Sequence, residues 1–141
     1  MARLLALDLG RKRCGVAATD LLQIAATGLA TVPTAALDNF LRHYLATEPV
    51  DHIVVGSPRT LDGRPSESMR FIGPVLQRLR KAFPQVTFVE VDERFTSTLA
   101  HRAMIESGMK RSRRQDKALA DVMAATIILN DYLESIKFKQ R

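Results

Sequence analysis

The first third of the sequence contains three short apolar runs joined by links too short to hold a crossover helix. The runs are RLLAL (3–7), GVAAT (15–19) and IAATGLATV (24–32). Consecutive strands that pair in parallel need a connection of about a dozen residues or more, usually a helix. The three runs are therefore predicted to form an antiparallel meander that opens a β-sheet.

The rest of the chain alternates helical and strand patterns. Apolar residues recur at helical spacing after Pro33, which predicts a helix over 35–47 with Thr34 as its N-cap. HIVVGSP (52–58) and VTFVEVDE (86–93) have the pattern of buried strands with a helix between them, so both are predicted to join the sheet in parallel. Two helical segments follow, and the order βββαβαβαα indicates an α/β fold.

The helix predicted between the last two strands has apolar residues at helical spacing but also contains residues that disfavour a helix. Its apolar residues keep helical spacing, but Gly73 and Pro74 lie among them. A proline inside a helix costs about 3 kcal/mol or more, because it removes a hydrogen bond and its ring meets the preceding turn. We therefore expect this helix to kink or to start late.

The sequence gives no sign of a second domain. Its 141 residues suffice for one domain that buries roughly two-thirds of its unfolded surface, so we expect a single domain over 1–141. No apolar run approaches the ~20 residues that span a bilayer, and no signal peptide precedes the first strand. Cys14 is the only cysteine, so no intrachain disulfide can form. These features predict a cytoplasmic protein without a membrane partner; its oligomeric state is not predicted.

The net charge of +6 favours a polyanionic partner, and nucleic acid is the commonest one in the cytosol. The densest basic stretch is KRSRRQDK (110–117), which lies between two helical patterns. A solvated loop is the alternative interpretation of such a run. The residues predicted to contact phosphates here are Lys110, Arg111, Arg113, Arg114 and Lys117.

Acidic residues end two of the predicted strands and mark one helix. Asp8 ends the first strand, Asp92 and Glu93 end the fifth, and Asp121 lies on the apolar side of the last helical pattern. Ligand sites in α/β sheets lie beyond the carboxyl ends of strands, and converging carboxylates need a cation or protons. Mg²⁺ prefers oxygen ligands and leaves positions for phosphate oxygens. An acidic centre on a basic surface therefore indicates a nuclease with Asp8, Glu93 and Asp121 as metal ligands.

Each of these acids also has an ordinary structural explanation. Asp8 could begin an Asp-x-Gly turn, and Glu93 could pair with Arg94. Asp121 could pair with Lys117 one helical turn earlier, since ion pairs at this spacing are common. The sequence leaves both interpretations open.

Other polar residues and the cysteine are expected to have the following roles. Asp92 is the reserve metal ligand, because strand alternation places it on the face opposite Glu93 and the sequence does not show which face meets Asp8. Asp20 is expected to be a turn, cap or solvated residue. The histidines lack metal-ligand spacing and are expected at surface or edge positions. Cys14 is expected to be a small core residue, although neighbouring cations could lower its pKa.

Four blocks carry a family resemblance in the same order along the chain. They are DLGRKRCGVAATD (8–20), VVGSPRTLDG (54–63), DERFTS (92–97) and RRQDKALADVMAATIIL (113–129). Together they resemble the YqgF or RuvX family of Holliday-junction-resolvase-like nucleases, which share the ribonuclease H fold. Sugar-kinase and actin-like ATPases also use an Asp-x-Gly hairpin in this fold, but they need two such domains to enclose a nucleotide.

The resemblance implies a five-stranded mixed sheet in the order 3-2-1-4-5. It also implies cleavage of nucleic acid with Mg²⁺, or Mn²⁺ in its place, held by Asp8, Glu93 and Asp121. For bacterial members it implies trimming of the 5′ end of precursor 16S ribosomal RNA, with ribosomal precursor particles as partners. Resolution of branched DNA junctions, and an inactive nucleic-acid-binding protein, are the alternatives.

The first and third blocks assign further roles under the same resemblance. Gly10 and Gly15 would permit the tight hairpin that follows Asp8. Lys12 and Arg13 would offer positive charge to a phosphate, and Arg94 would do so after the fifth strand.

Overall fold

The computed structural model describes residues 1–57, 69–92 and 117–139. Within these ranges a 3₁₀ turn, Thr34–Ala36, precedes the first helix. The strands are β1 (Arg3–Leu9), β2 (Arg13–Thr19), β3 (Ala26–Pro33), β4 (Val50–Ser57) and β5 (Thr87–Asp92). The helices are α1 (Leu37–Thr47), α2 (Met69–Ala82) and α3 (Lys117–Lys139).

The strands form one mixed sheet in the order β3-β2-β1-β4-β5. β1 pairs antiparallel with β2, and β2 pairs antiparallel with β3, as their short links require. β4 joins β1 in parallel and β5 joins β4 in parallel. This confirms the predicted α/β fold, the antiparallel start and the strand order.

The sheet separates two hydrophobic cores, and β1 contributes to both. Leu5 and Leu7 are fully buried in the core that includes residues of α1 and α2. Leu4 and Ala6 are fully buried in the core that includes aliphatic residues of α3. Because alternate strand residues point to opposite faces, Asp8 shares the α3 face with Leu4 and Ala6.

The start of α1 differs from the prediction. The 3₁₀ turn at Thr34–Ala36 delays the helix to Leu37, and Thr34 does not cap it. Instead the Thr34 hydroxyl donates to the carbonyl of Gly10 at 2.8 Å, and the Thr34 N–H donates to the carbonyl of Lys12 at 2.9 Å. Thr34 is therefore used to tie the end of β3 to the β1–β2 hairpin.

Pro74 neither interrupts α2 nor delays its start. The helix runs from Met69 to Ala82 with Pro74 inside it. Ile72, Leu76 and Leu79 face the core, whereas Pro74 is exposed. The proline ring therefore lies on the solvent side, where the carbonyl that loses its hydrogen bond can be hydrated.

None of the helices in the described ranges combines the length and hydropathy that a transmembrane segment needs. The assignment of residues 1–141 to a single domain stays a prediction.

Candidate active site

Asp8 lies next to the end of β1, on the face that α3 covers. Its side chain is half-buried, and its register partner across the antiparallel pair is Gly15 of β2. The two residues therefore face α3 side by side.

Gly15 lets α3 approach the sheet closely. A Cβ atom at position 15 would collide with the backbone carbonyl of Asp121 and would press on the amide nitrogen of Val122. Gly15 was expected to help form the hairpin, but it lies inside β2 and its role is this close packing. Gly10 alone belongs to the turn, where its N–H donates to the carbonyl of Arg13 at 2.9 Å.

This packing brings Asp8 and Asp121 together from opposite ends of the sequence. Asp8 lies beside Gly15 in the sheet, and the backbone of Asp121 lies over Gly15. The charges of both carboxylates act on one buried atom, the sulfur of Cys14. The structure therefore places Asp8 and the backbone of Asp121 next to the same residue, Gly15, and a shared metal ion stays a prediction.

Cys14 departs from one expectation. It is a fully buried core residue, as predicted. However, burial raises the pKa of its thiol well above the ordinary range, and the negative charges of Asp8 and Asp121 raise this pKa further. The expected lowering by neighbouring cations is therefore not found.

Asp121 has an ion-pair partner that the sequence did not indicate. The Arg13 Nε donates to Asp121 Oδ2 at 2.9 Å, across 108 positions of sequence. The Arg13 side chain is 40% exposed and that of Asp121 is 25% exposed. No local motif signals this pair, because its members meet only when α3 lies on β2. Whether Lys117 also pairs with Asp121 lies outside the described side chains.

A cleft of about 360 Å³ opens where the hairpin meets α3. Its lining residues are Gly10, Arg11, Lys12, Arg13 and Asp121. The cleft therefore combines three cationic side chains with one carboxylate.

Arg11 holds the hairpin tip against α2. Its guanidinium carbon lies 5.2 Å from the centroid of the Phe71 ring, which is a cation–π contact. Sequence reasoning assigned Lys12 and Arg13 to phosphate binding and left out Arg11. The GRKR run contained the signal, since all three cations lie in one tight turn.

The described acids fit a divalent metal ion in their chemistry. Asp8 and Asp121 offer carboxylate oxygens, which Mg²⁺ and Mn²⁺ prefer, and a Mg²⁺ site commonly has one or two carboxylates plus waters. Among the residues that the structure describes, no group of three or more His, Cys, Asp or Glu side chains could hold a metal. The side chains of Asp92 and Lys117 lie outside the described part. So do the whole residues Glu93, Arg94, Lys110, Arg111, Arg113 and Arg114.

Asp20 and His52 have structural roles away from this site. The Asp20 carboxylate accepts the backbone N–H groups of Ala25, Ile24 and Leu22 at 2.9–3.0 Å, and these bonds, that of Ala25 first, lower its pKa. Asp20 is thus the turn residue that was predicted. His52 is half-buried, and its ring forms a 2.9 Å hydrogen bond with the hydroxyl of Tyr132 in α3.

Comparison with known proteins gives a family for this arrangement. Residues 2–135 match the model of the family described as RuvX, Holliday junction resolvase. A protein of Bacteroides thetaiotaomicron named "Putative pre-16S rRNA nuclease" is 51% identical over 138 residues, which cover 98% of this chain and 100% of that protein. One with the same name from Phocaeicola vulgatus is 53% identical over 98% of this chain and 99% of its own length.

A solved structure shares the fold at low sequence identity. RuvC of T. thermophilus, in complex with a Holliday junction substrate, superposes with a TM-score of 0.53 at 15% identity, covering 96% of each chain. The family match spans the elements that carry Asp8, Arg13 and Asp121, and it confirms the resemblance seen in the four sequence blocks. The chain therefore belongs to the RuvX family.

Proposed function

We propose that this chain is a divalent-metal-dependent nuclease that matures the 5′ end of precursor 16S ribosomal RNA in the cytoplasm. The observation that carries the proposal is the meeting of Asp8 and Asp121 beside a cleft lined by Arg11, Lys12 and Arg13. The names of the two relatives support the substrate.

Asp8 and Asp121 would hold Mg²⁺, or Mn²⁺ in its place. A metal ion bound there would stabilise the charge on the attacking and leaving oxygens of a phosphodiester. The two carboxylates come from a strand and a helix that pack through Gly15, so their backbones are fixed before substrate arrives. Such preorganisation is what a catalytic centre requires.

Glu93 is the proposed third ligand, ahead of Asp92. Val91 packs with the core on the α3 face, which is the face of Asp8. Residues two positions apart along a strand share a face, and position 93 follows Val91 at this interval. Alternation thus favours Glu93.

The hairpin supplies positive charge for the substrate backbone. Arg11 and Lys12 are exposed at the mouth of the cleft. Phosphate contacts of this kind fix the register of a nucleic acid without reading its sequence. Arg94 and the basic run over 110–117 are proposed to extend the same surface, and ribosomal precursor particles are the proposed setting.

A second candidate substrate is a four-way DNA junction. The description of the matching family as a Holliday junction resolvase favours it. The fold and the acidic pair are compatible with either substrate, because a metal-bound carboxylate pair acts on the phosphodiester and not on the base.

The deciding experiment offers the purified chain a precursor 16S ribosomal RNA fragment, a four-way DNA junction and single strands of each nucleic acid. We expect Mg²⁺-dependent shortening of the RNA at its 5′ end and slower or absent cutting of the junction. Faster cutting of the junction would favour the second candidate. Cleavage that survives excess EDTA, or no cleavage of any substrate with Mg²⁺ or Mn²⁺, would contradict the proposal.

A further inference from the structure

We propose that Arg13 exchanges between Asp121 and the substrate, so that the divalent metal and the nucleic acid favour each other's binding. This inference rests on the proposed function, since it concerns the same acidic pair. It assigns to Arg13 the role of a positioning residue that couples the two binding events.

The contact itself identifies Arg13 as a competitor of the metal. The Arg13 Nε donates to Asp121 Oδ2 at 2.9 Å, the length of a charge-assisted hydrogen bond. The guanidinium neutralises part of the negative charge of this carboxylate. A metal ion bound to Asp121 would be repelled by the adjacent guanidinium, so the two cations oppose each other's binding to this carboxylate.

The partial exposure of both side chains indicates that this ion pair can open at a low energetic cost. The side chains are 40% and 25% exposed, so water can solvate both partners when the bond opens. Ion pairs with this exposure are weak. Arg13 and Asp121 both line the cleft, so a released guanidinium remains at the cleft where the substrate would enter.

Once Arg13 has left Asp121, its guanidinium and the neighbouring cations of the hairpin can bind a phosphate together. Lys12 is exposed beside Arg13, and Arg11 is held by Phe71 on the same hairpin. With Asp121 engaged by a metal, the positive charge of Arg13 is no longer neutralised by that carboxylate. A phosphate oxygen is the strongest partner for such a guanidinium.

Thermodynamic linkage turns this exchange into cooperativity. If the metal frees Arg13 for a phosphate, then a phosphate that engages Arg13 must free Asp121 for the metal by the same factor. The site would then load metal more readily when nucleic acid is present.

The test measures Mn²⁺ affinity of the full-length chain by calorimetry without nucleic acid. Arg13→Gln removes the competitor, and we expect it to bind Mn²⁺ roughly two- to fivefold more tightly than wild type, the range expected for a partly exposed ion pair. Lys81→Gln is the matched control: it removes one positive charge at an exposed position of α2 that does not line the cleft, where screening by water and salt is strong. It should leave the affinity nearly unchanged.

A second measurement adds a short 2′-O-methyl phosphorothioate oligonucleotide. This probe should tighten Mn²⁺ binding in wild type and in Lys81→Gln, and should tighten it less in Arg13→Gln. Equal tightening in all three proteins would overturn the inference.

The remaining outcomes separate this inference from the proposed function. If Asp8→Asn abolishes Mn²⁺ binding while Arg13→Gln binds no more tightly than Lys81→Gln, the metal site stands and the exchange is refuted. If wild type and Asp8→Asn bind Mn²⁺ equally, or neither binds it, the proposed metal site is refuted together with the exchange.

Discussion

Cys14 shows how far the charges of the site extend into the protein. Its sulfur lies in the core on the α1 and α2 side of the sheet, while Asp8 lies on the α3 side. Cys14 is fully buried, and the protein interior screens a Coulomb interaction less than water does. Burial, followed by the charges of Asp8 and Asp121, raises the pKa of the thiol. The thiol is therefore protonated throughout the physiological range.

This raised pKa predicts a loss of stability at alkaline pH. The folded thiol keeps its proton, whereas the unfolded thiol releases it above a pKa of about 8.5. The stabilisation is therefore complete below about pH 8.5 and decreases as the pH rises towards the folded pKa. Between pH 8.5 and 10 the free energy of unfolding should fall more steeply in wild type than in Cys14→Ala, and the difference in slope should rise towards an upper limit of about 1.4 kcal/mol per pH unit. Urea unfolding at several pH values measures this, and parallel pH profiles would contradict it.

At the scale of secondary structure, two glycines in neighbouring strands determine how α3 sits. Gly15 in β2 meets the backbone of Asp121, and Gly28 in β3 meets the side chain of Val122. A helix that rests on two positions without Cβ atoms can approach the sheet closely. The same approach carries Asp121 to Asp8, so the site depends on this packing.

Gly15→Ala should therefore destabilise the fold and disturb the site together. Its Cβ would meet backbone atoms of α3, which cannot move aside by a change of rotamer. We expect a loss of about 1 to 3 kcal/mol in the free energy of unfolding, the usual range for overpacking. Gly73→Ala is the matched control, because no atom outside its own helix and chain neighbours lies within 4 Å of the added Cβ. The ring of Pro74 disfavours a helical residue with a Cβ before it, so the usual gain of about 0.5 to 1 kcal/mol for Gly→Ala in a helix should be reduced and the net change small. Equal effects of the two substitutions in urea would refute this packing role.

At the scale of the whole molecule, a basic chain of net charge +6 carries Asp8 and Asp121 where α3 packs on its sheet. The hairpin cations lie at the described cleft, and the basic run over 110–117 precedes α3, the helix of Asp121. A polyanion attracted by the overall charge would thus meet the carboxylates at a point flanked by cations. The charge distribution favours nucleic acid as the substrate on this ground.

The salt dependence of binding tests the contribution of the basic run. Each phosphate that a cation neutralises adds about 0.7 to 0.9 to the slope of log affinity against log salt. Replacing Arg111, Arg113 and Arg114 with Gln should flatten this slope by roughly two units. It should also raise KM more than it lowers kcat, because contacts with the nucleic-acid backbone stabilise the bound substrate and the transition state alike. Affinities measured across a salt series decide it. Equal slopes for wild type and the triple variant would mean that the run is a solvated segment.

The sequence predicted those features that depend on neighbours along the chain. The short links dictate the antiparallel meander, and the period of the last helix places Asp121 on its apolar side. The ion pair of Arg13 with Asp121 joins residues 108 positions apart, so no local pattern could indicate it. Thr34 was predicted to cap a helix because it directly precedes a helical pattern. Its hydroxyl instead donates to the carbonyl of Gly10, 24 positions earlier in the chain. Pro74 is tolerated within α2 because it faces solvent. The prediction considered only the position of this proline along the helix and not the face on which it lies.

The most direct test of the central claim asks whether Asp8 and Asp121 work as one metal centre. Single-turnover cleavage of a precursor 16S ribosomal RNA fragment in Mg²⁺ is measured for Asp8→Asn, Asp121→Asn and the double variant. Asp131→Asn, an exposed position on the same helix, is the control. Each single variant should lose roughly a hundredfold or more in rate, since a metal ion contributes several kcal/mol to the transition state. The double variant should be no slower than the slower single variant, because residues that act as a unit are not additive. Full activity of either single variant, or losses that multiply in the double variant, would contradict the shared centre.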